Sequence, residues 1–277
     1  MKIISLLVLC IALINAGYSQ TLKTPAPSPG QTIKQDFSLS SVEVSYSRPG
    51  IKGRTVFGDL VPFGKVWRTG ANGATTVTFG EDVIIGGKKI AAGKYGLLSI
   101  PGQQEWTIII TKQTNVTNAA AYKESEDVVR FKAKAEEMSF PLETMMIAFN
   151  NIKSSSMDMM IIWDKTAVTF PVKTESDGKV MLEINNMMNK ENFPYFDAAL
   201  YYLENGKDLN KAVSWFDKAI EKNPQGFWIY YQKASALAKL GKKQEAIVSA
   251  KKSIEFAKVA SNDDYVALNE KLIASLN

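Results

Sequence analysis

The sequence predicts an α+β protein of two domains, an all-β antiparallel sandwich or barrel followed by an α-helical repeat array. Short segments with period-2 alternation, separated by turns rich in glycine and proline, run from residue 36 to 173. From Glu175 the apolar spacing becomes helical, and Ala212 and Ala246 stand 34 residues apart in similar surroundings. The chain has no histidine and a single cysteine, so burial of apolar side chains must stabilise both domains.

Lys2, the apolar run Ile3 to Ile14 and the small and polar residues Ala16 to Gln20 follow the order of a secretory signal peptide over residues 1–20. The run is too short to span a bilayer. Leu9 is too large for a lipoprotein motif at Cys10. The expected mature chain is therefore exported, periplasmic or secreted, with no transmembrane span. Its net charge falls from +5 to +4 with the loss of Lys2. The lysines are scattered, so nucleic-acid binding is not implied.

Residues 21–35, with Pro25, Pro27 and Pro29, read as an extended lead-in. Residues 36–173 form the β domain. Val42, Val44 and Tyr46 alternate with polar neighbours, as do Thr75, Val77 and Phe79. Val83–Ile85 and Lys88–Ile90 flank the turn Gly86-Gly87, and Lys94–Ile100 and Trp106–Thr111 flank a second turn. Ile108-Ile109-Ile110 lacks alternation and is expected at a centre buried on both faces. Val129 to Ala135 alternate, Leu142–Ile152 and Met157–Trp163 form a further pair, and Val168–Val172 supplies an edge strand.

Residues 174–277 form the helical domain. Val180, Ile184, Met187 and Met188 share one helix face, and Tyr195 opens the repeat segment. Around Ala212 stand Phe216, Ala219 and Pro224; the second copy has Tyr230, Ala234, Leu237, Gly241 and Ala246, with Ala250 and Ser253 departing from the pattern. This segment resembles a pair of tetratricopeptide repeats. Asp263 or Asp264 is placed to cap a last helix through Leu276.

With Cys10 removed, thiolate nucleophiles, Ser-His and Cys-His pairs, zinc sites and disulfides are excluded. No catalytic residue, cofactor or metal site is expected. A hydrolase built on two carboxylates stays open through Glu43, Asp59, Glu81, Asp82 and Glu105, but no spacing singles out a pair. Ser249 and Lys252 match Ser-x-x-Lys without its companion motifs, a chance match.

Binding chemistry concentrates in Val44 to Asn72. Arg48 keeps the parity of Tyr46 and should lean inward at a strand end, with turns at Pro49-Gly50 and Pro62-Phe63-Gly64. Lys65 to Ala71 reads as a strand leading into a tight Asn72-Gly73 hairpin turn. The arginines need partners: carboxylates such as Glu43 and Asp59, backbone carbonyls, or a ligand. Tyr46 to Gly50, Gly53-Arg54, Phe57-Gly58, Val61 to Gly64, Val66 to Asn72 and Ala92 to Leu98 together resemble the domain of unknown function 2911 family of exported bacterial proteins. That resemblance covers roughly residues 25–173. It implies a β-rich domain and an exported location, and no mechanism.

The sequence thus predicts a non-catalytic binding protein. Arg48, Arg54, Arg68, Tyr46, Trp67 and Asn72 are its candidate site for an anionic or carbohydrate ligand. Trp228 and Tyr231 are candidates for contact with a protein partner through the repeat helices. The alternatives are a carboxylate-based glycoside-acting hydrolase and a purely structural envelope scaffold.

Overall fold

A computed structural model describes Leu22, Thr24–Met188 and Lys190–Leu276; the proposed signal peptide and Cys10 lie outside the described residues. The chain divides into two compact units, one running through Ile152 with Ser156–Thr174, the other comprising Lys153–Ser155 and the residues from Glu175 on.

The first unit is a nine-stranded antiparallel sheet. Its strands are β1 (Gly30–Phe37), β2 (Ser40–Ser47), β3 (Thr75–Phe79), β4 (Val83–Ile85), β5 (Lys88–Ile90), β6 (Gly93–Ile100), β7 (Glu105–Thr111), β8 (Asp127–Asn150) and β9 (Ser156–Lys173). The spatial order is β1-β2-β3-β6-β7-β8-β9-β4-β5. The sheet is open rather than closed, so the sandwich and not the barrel is the form adopted. Its bend lies in β8. Residues 127–134 of this 24-residue strand pair with β7, and from Ala135 onward it pairs with β9, with register shifts between Glu137 and Met146. Irregularities of that kind bend a strand and sharpen its twist. The second half of β8 returns over β2, where the Ile147 N–H donates to the Tyr46 hydroxyl at 2.9 Å.

Between the layers lies a core that includes Val44, Val77, Leu97, Ile108, Trp106, Trp163, Val168 and Phe170. Leu98, Ile109 and Val116 form a smaller cluster apart from it. Ile108, Ile109 and Ile110 are therefore buried on alternating faces, as the unbroken apolar run implied. Gly86 and Gly87 have φ of 57° and 76°, the pair of positive angles that a two-residue hairpin between β4 and β5 requires.

Three expectations are corrected. β1 begins at Gly30, inside the stretch read as lead-in; its inward positions include Gln31 and Gln35, which hid the alternation. The segments from Val129 to Ile152 merge into β8, and those from Met157 to Val172 into β9, which is no edge strand because β4 pairs beyond it. Lys65–Ala71 is a loop with one bridge, Trp67 to Ser99. Asn72 has φ of 59° but Gly73 does not share a positive angle, so no tight hairpin forms there.

The second unit contains six helices among the described residues: α1 (Asp177–Met187), α2 (Tyr195–Glu204), α3 (Leu209–Lys222), α4 (Phe227–Lys239), α5 (Lys243–Val259) and α6 (Asp263–Leu276). Each of α2 to α5 packs on the next in sequence, the pattern of stacked helical hairpins. Asp208 caps α3, its carboxylate accepting from the N–H groups of Asn210 and Lys211. At α6 the cap is Asn262, whose side chain accepts from the Tyr265 N–H at 3.1 Å, rather than Asp263 or Asp264. None of the helices is long and apolar enough to cross a membrane.

Candidate functional site

After β2 the chain crosses from one layer to the other. The Ile51 N–H donates to the Glu143 carbonyl at 2.8 Å, and the Met145 N–H donates to the Pro49 carbonyl at 2.9 Å. Arg48 adds its Nε to the Met145 carbonyl at 2.8 Å. Arg54 then folds back on this turn, donating from Nη2 to the Gly50 carbonyl at 2.7 Å and from Nε to the Ile51 carbonyl at 3.0 Å. Farther on, Trp67 exchanges backbone hydrogen bonds with Ser99 of β6. The loop next closes on β2, where the Ala71 N–H donates to the Ser47 carbonyl. Gly70 makes this approach possible, since a Cβ there would stand 2.9 Å from the Ser47 carbonyl oxygen.

The loop so pinned bounds a cavity of about 380 Å³ lined by Arg54, Lys65, Arg68, Trp67 and Trp163, with Val61 and Pro62. Among the described residues no carboxylate lines it. Trp67 and Trp163 stack at 5.9 Å between centroids and 20° between planes. Phe57 and Trp106 pack edge-on behind them. The indole N–H groups are committed to backbone carbonyls, Trp67 to that of Gly70 at 3.0 Å and Trp163 to that of Glu143 at 3.3 Å. With its N–H so occupied, Trp67 offers the cavity apolar ring surface.

Arg68 is half-buried. One terminal nitrogen donates to the Thr117 carbonyl, and its Nε is buried with no hydrogen-bond partner. Among the described residues, Arg48, Arg54, Lys65 and Arg68 form no ion pair, and Glu43 and Asp59 do not serve them. The arginines use backbone carbonyls as partners rather than direct ion pairs.

The expected six residues divide accordingly. Arg54, Arg68 and Trp67 line the one cavity. Arg48 is absent from that lining and ties β2 to β8. Tyr46 is buried, and its hydroxyl also donates to Gln31 Oε1 at 2.8 Å. Asn72 donates to the Ser28 carbonyl and to Ser47 Oγ, both at 3.2 Å, holding its loop. Lys65 and Trp163 were missed as site residues. Trp163 lies in β9, about a hundred residues on in sequence, and carries no local signal of a role here.

A second titratable group lies elsewhere in the sheet. The Tyr122 hydroxyl donates to Asp127 Oδ2 at 2.5 Å, and Arg130 pairs with Asp127 at 3.3 Å and with Glu124. Burial, chiefly, pushes the Asp127 carboxyl above its usual range and the Tyr122 phenol well above its own. Among the described residues no group of three His, Cys, Asp or Glu side chains stands ready to hold a metal ion.

In the helical unit Trp228 is half-buried against the core of the first helix pair, and Tyr231 meets Tyr265 edge-on at 5.6 Å. Ser249 is buried and donates to the Tyr230 carbonyl, while Lys252 pairs with Glu255, so these two make no nucleophile and base. Ser253 donates to the Phe227 carbonyl at 2.7 Å and accepts from Asn269 at 2.8 Å, a buried polar link across α4, α5 and α6.

No curated protein and no solved structure matches this chain. Two family models do. One, a tetratricopeptide repeat, matches residues 215–248, spanning α4 and parts of α3 and α5. The other matches residues 28–172, more than half of the chain and nearly all of the sheet, and the protein belongs to that family, described as a protein of unknown function (DUF2911).

Proposed function

We propose that the β unit binds a small anionic ligand in the Arg54–Arg68 cavity, and that the helical unit contacts a protein partner. The observation that carries the first half is the cation excess: three cationic side chains, no carboxylate, and a half-buried arginine whose Nε has no partner. Arg68 has more N–H groups than the one given to the Thr117 carbonyl, and a guanidinium favours a carboxylate or phosphate, which accepts two parallel N–H bonds. The volume suits a compact molecule, and the Trp67 ring gives an apolar or sugar-like portion something to lie against. An acid pair for glycoside hydrolysis finds no support at this cavity. The tetratricopeptide match supports the second half, since such helix pairs commonly serve protein contacts. The signal-peptide pattern supports export, with the ligand met in the periplasm or outside the cell.

The test is a thermal-shift screen of the chain from Thr21 onward against inorganic phosphate, simple carboxylates, uronic acids and neutral sugars. A ligand at a hundred times its Kd adds about 2.7 kcal/mol, which moves the midpoint by roughly 2–4 °C per kcal/mol. Anions are expected to stabilise the parent and not Arg68→Ala or Arg54→Ala. A response to neutral sugars alone, or an anion response kept by both variants, would overturn the reading.

A further inference from the structure

Among the described residues the sheet has two edge strands with no further strand beside them, and they differ. β5 is three residues long, short enough to be a poor template. β1 is eight residues, without proline or bulge, and fully paired to β2 on one side only. The Arg48 N–H donates to the Pro29 carbonyl, so odd-numbered residues of this strand turn their backbone groups toward β2. The N–H and C=O groups of Thr32, Lys34 and Asp36 therefore face outward from the edge. The Asp36 carbonyl accepts at 3.0 Å from the side chain of its neighbour Gln35, a local stand-in for a strand partner.

Lys34 and Asp36 lie two residues apart on one exposed face of β1. Neither forms an ion pair among the described residues, although Lys34 sits opposite Glu43 in the ladder. Opposite charges at i and i+2 are self-complementary in an antiparallel pair whose two-fold axis passes through the residue between them. We propose that β1 pairs with β1 of a second copy of this chain about an axis at Gln35. This register sets Lys34 opposite Asp36 of the other copy, twice, and joins their outward backbone groups in a continuing ladder. On the other face it sets Ile33 against Phe37, extending an apolar surface that Ile33 leaves half-covered. An axis at Lys34 would instead oppose two lysines, which disfavours it.

Sedimentation of the chain from Thr21 onward, which keeps every described residue, tests this across a dilution series. The expected result is a reversible monomer–dimer equilibrium. Lys34→Glu and Asp36→Lys should each weaken it about tenfold or more, because each leaves only like charges opposite one another. The double swap Lys34→Asp with Asp36→Lys restores the complement and should restore the dimer. Gln35→Cys, in a chain otherwise free of cysteine once Cys10 is absent, should form an intermolecular disulfide on mild oxidation, whereas Thr32→Cys should not. A chain monomeric at every concentration overturns the proposal. So does a dimer indifferent to the single reversals, or one that the swap does not rescue although circular dichroism shows each variant folded.

Discussion

The two units reach stability by opposite routes. In the β unit the groups that meet are far apart in sequence: Tyr46 with Ile147, Arg48 with Met145, Trp67 with Trp163. In the helical unit they are close, each of α2 to α5 packing on its successor and the buried Ser253 joining residues 26 before and 16 after it. The β core is filled with large rings and branched side chains. Helices α4 to α6 are filled largely with small ones, Ala234, Ala246, Ala250 and Ala257, and with polar Ser253 and Asn269. Large rings brought together from distant strands leave irregular gaps between loops, and the cation-lined cavity is one of them. Small side chains at repeated offsets pack closely and leave specificity to a few buried hydrogen bonds.

The largest effect should come from the rings. Trp106→Ala removes a side chain 1 % exposed that packs against Phe57 at 4.9 Å and Trp67 at 5.9 Å. A loss of about 3–5 kcal/mol is expected in the β unit. Urea denaturation followed through the tryptophans would measure it, and a loss below 1 kcal/mol would mean the cluster is loosely packed.

In the helical unit the corresponding test is polar. Ser253→Ala removes the side-chain donor to the Phe227 carbonyl and strips Asn269 of one of its two acceptors. The expected cost is about 1–3 kcal/mol. The cost should shrink in the double variant Ser253→Ala with Asn269→Leu, because both ends of the link are then apolar. Additive losses in that cycle would show that the link contributes nothing as a unit.

This contrast also explains what could be read from the chain. Strands with clean alternation, β2 and β3, were legible, as were helices whose alanines and aromatics recur at a fixed period. β1 was not, because the Gln31 amide faces the core to meet the Tyr46 hydroxyl and breaks the pattern. The length of β8 was not, because Val129 to Ala135 and Leu142–Ile152 read as two segments, whereas the chain continues through register shifts between Glu137 and Met146 as one strand. Arg54, Arg68 and Trp67 could be grouped since one loop carries them all. Trp163 could not, since only the stacking of layers brings it there. Nor did the sequence separate Arg48 from the other two; its carbonyl partner is set by the return of β8.

That separation gives the next prediction, and it sharpens the comparison inside the β unit itself. Arg48→Met breaks a charge-assisted hydrogen bond between layers and should cost about 1.5–3 kcal/mol. Arg68→Met removes a more exposed hydrogen bond, to the Thr117 carbonyl, together with a buried Nε that has no partner, and should cost about 1 kcal/mol or less, while abolishing the anion response. Equal costs for the two, by denaturant midpoint, would return Arg68 to a purely structural role.

The smallest effect distinguishes the units by the sign of a pH slope. Burial holds the Asp127 carboxyl above its usual range, so folding is penalised at pH values above its folded pKa. The penalty fades as pH falls through that pKa toward the ordinary value near 3.9. Asp127 therefore makes stability fall with rising pH across this window. Asp177 is the reverse: hydrogen bonds from Lys207 and Tyr201 lower its carboxyl, so its contribution is present above about pH 4 and is lost as pH falls through the lowered value. Half of the Asp177 side chain is exposed, so solvent screens that contribution strongly. Asp127→Asn should make the slope of stability against pH more positive above pH 4, and Asp177→Asn should make it less positive below pH 4. Denaturation curves at half-unit steps of pH would show whether the slopes change in opposite senses. Changes of one sign for both variants would mean that Arg130 and the Tyr122 hydroxyl outweigh burial at Asp127, making the two carboxylates alike.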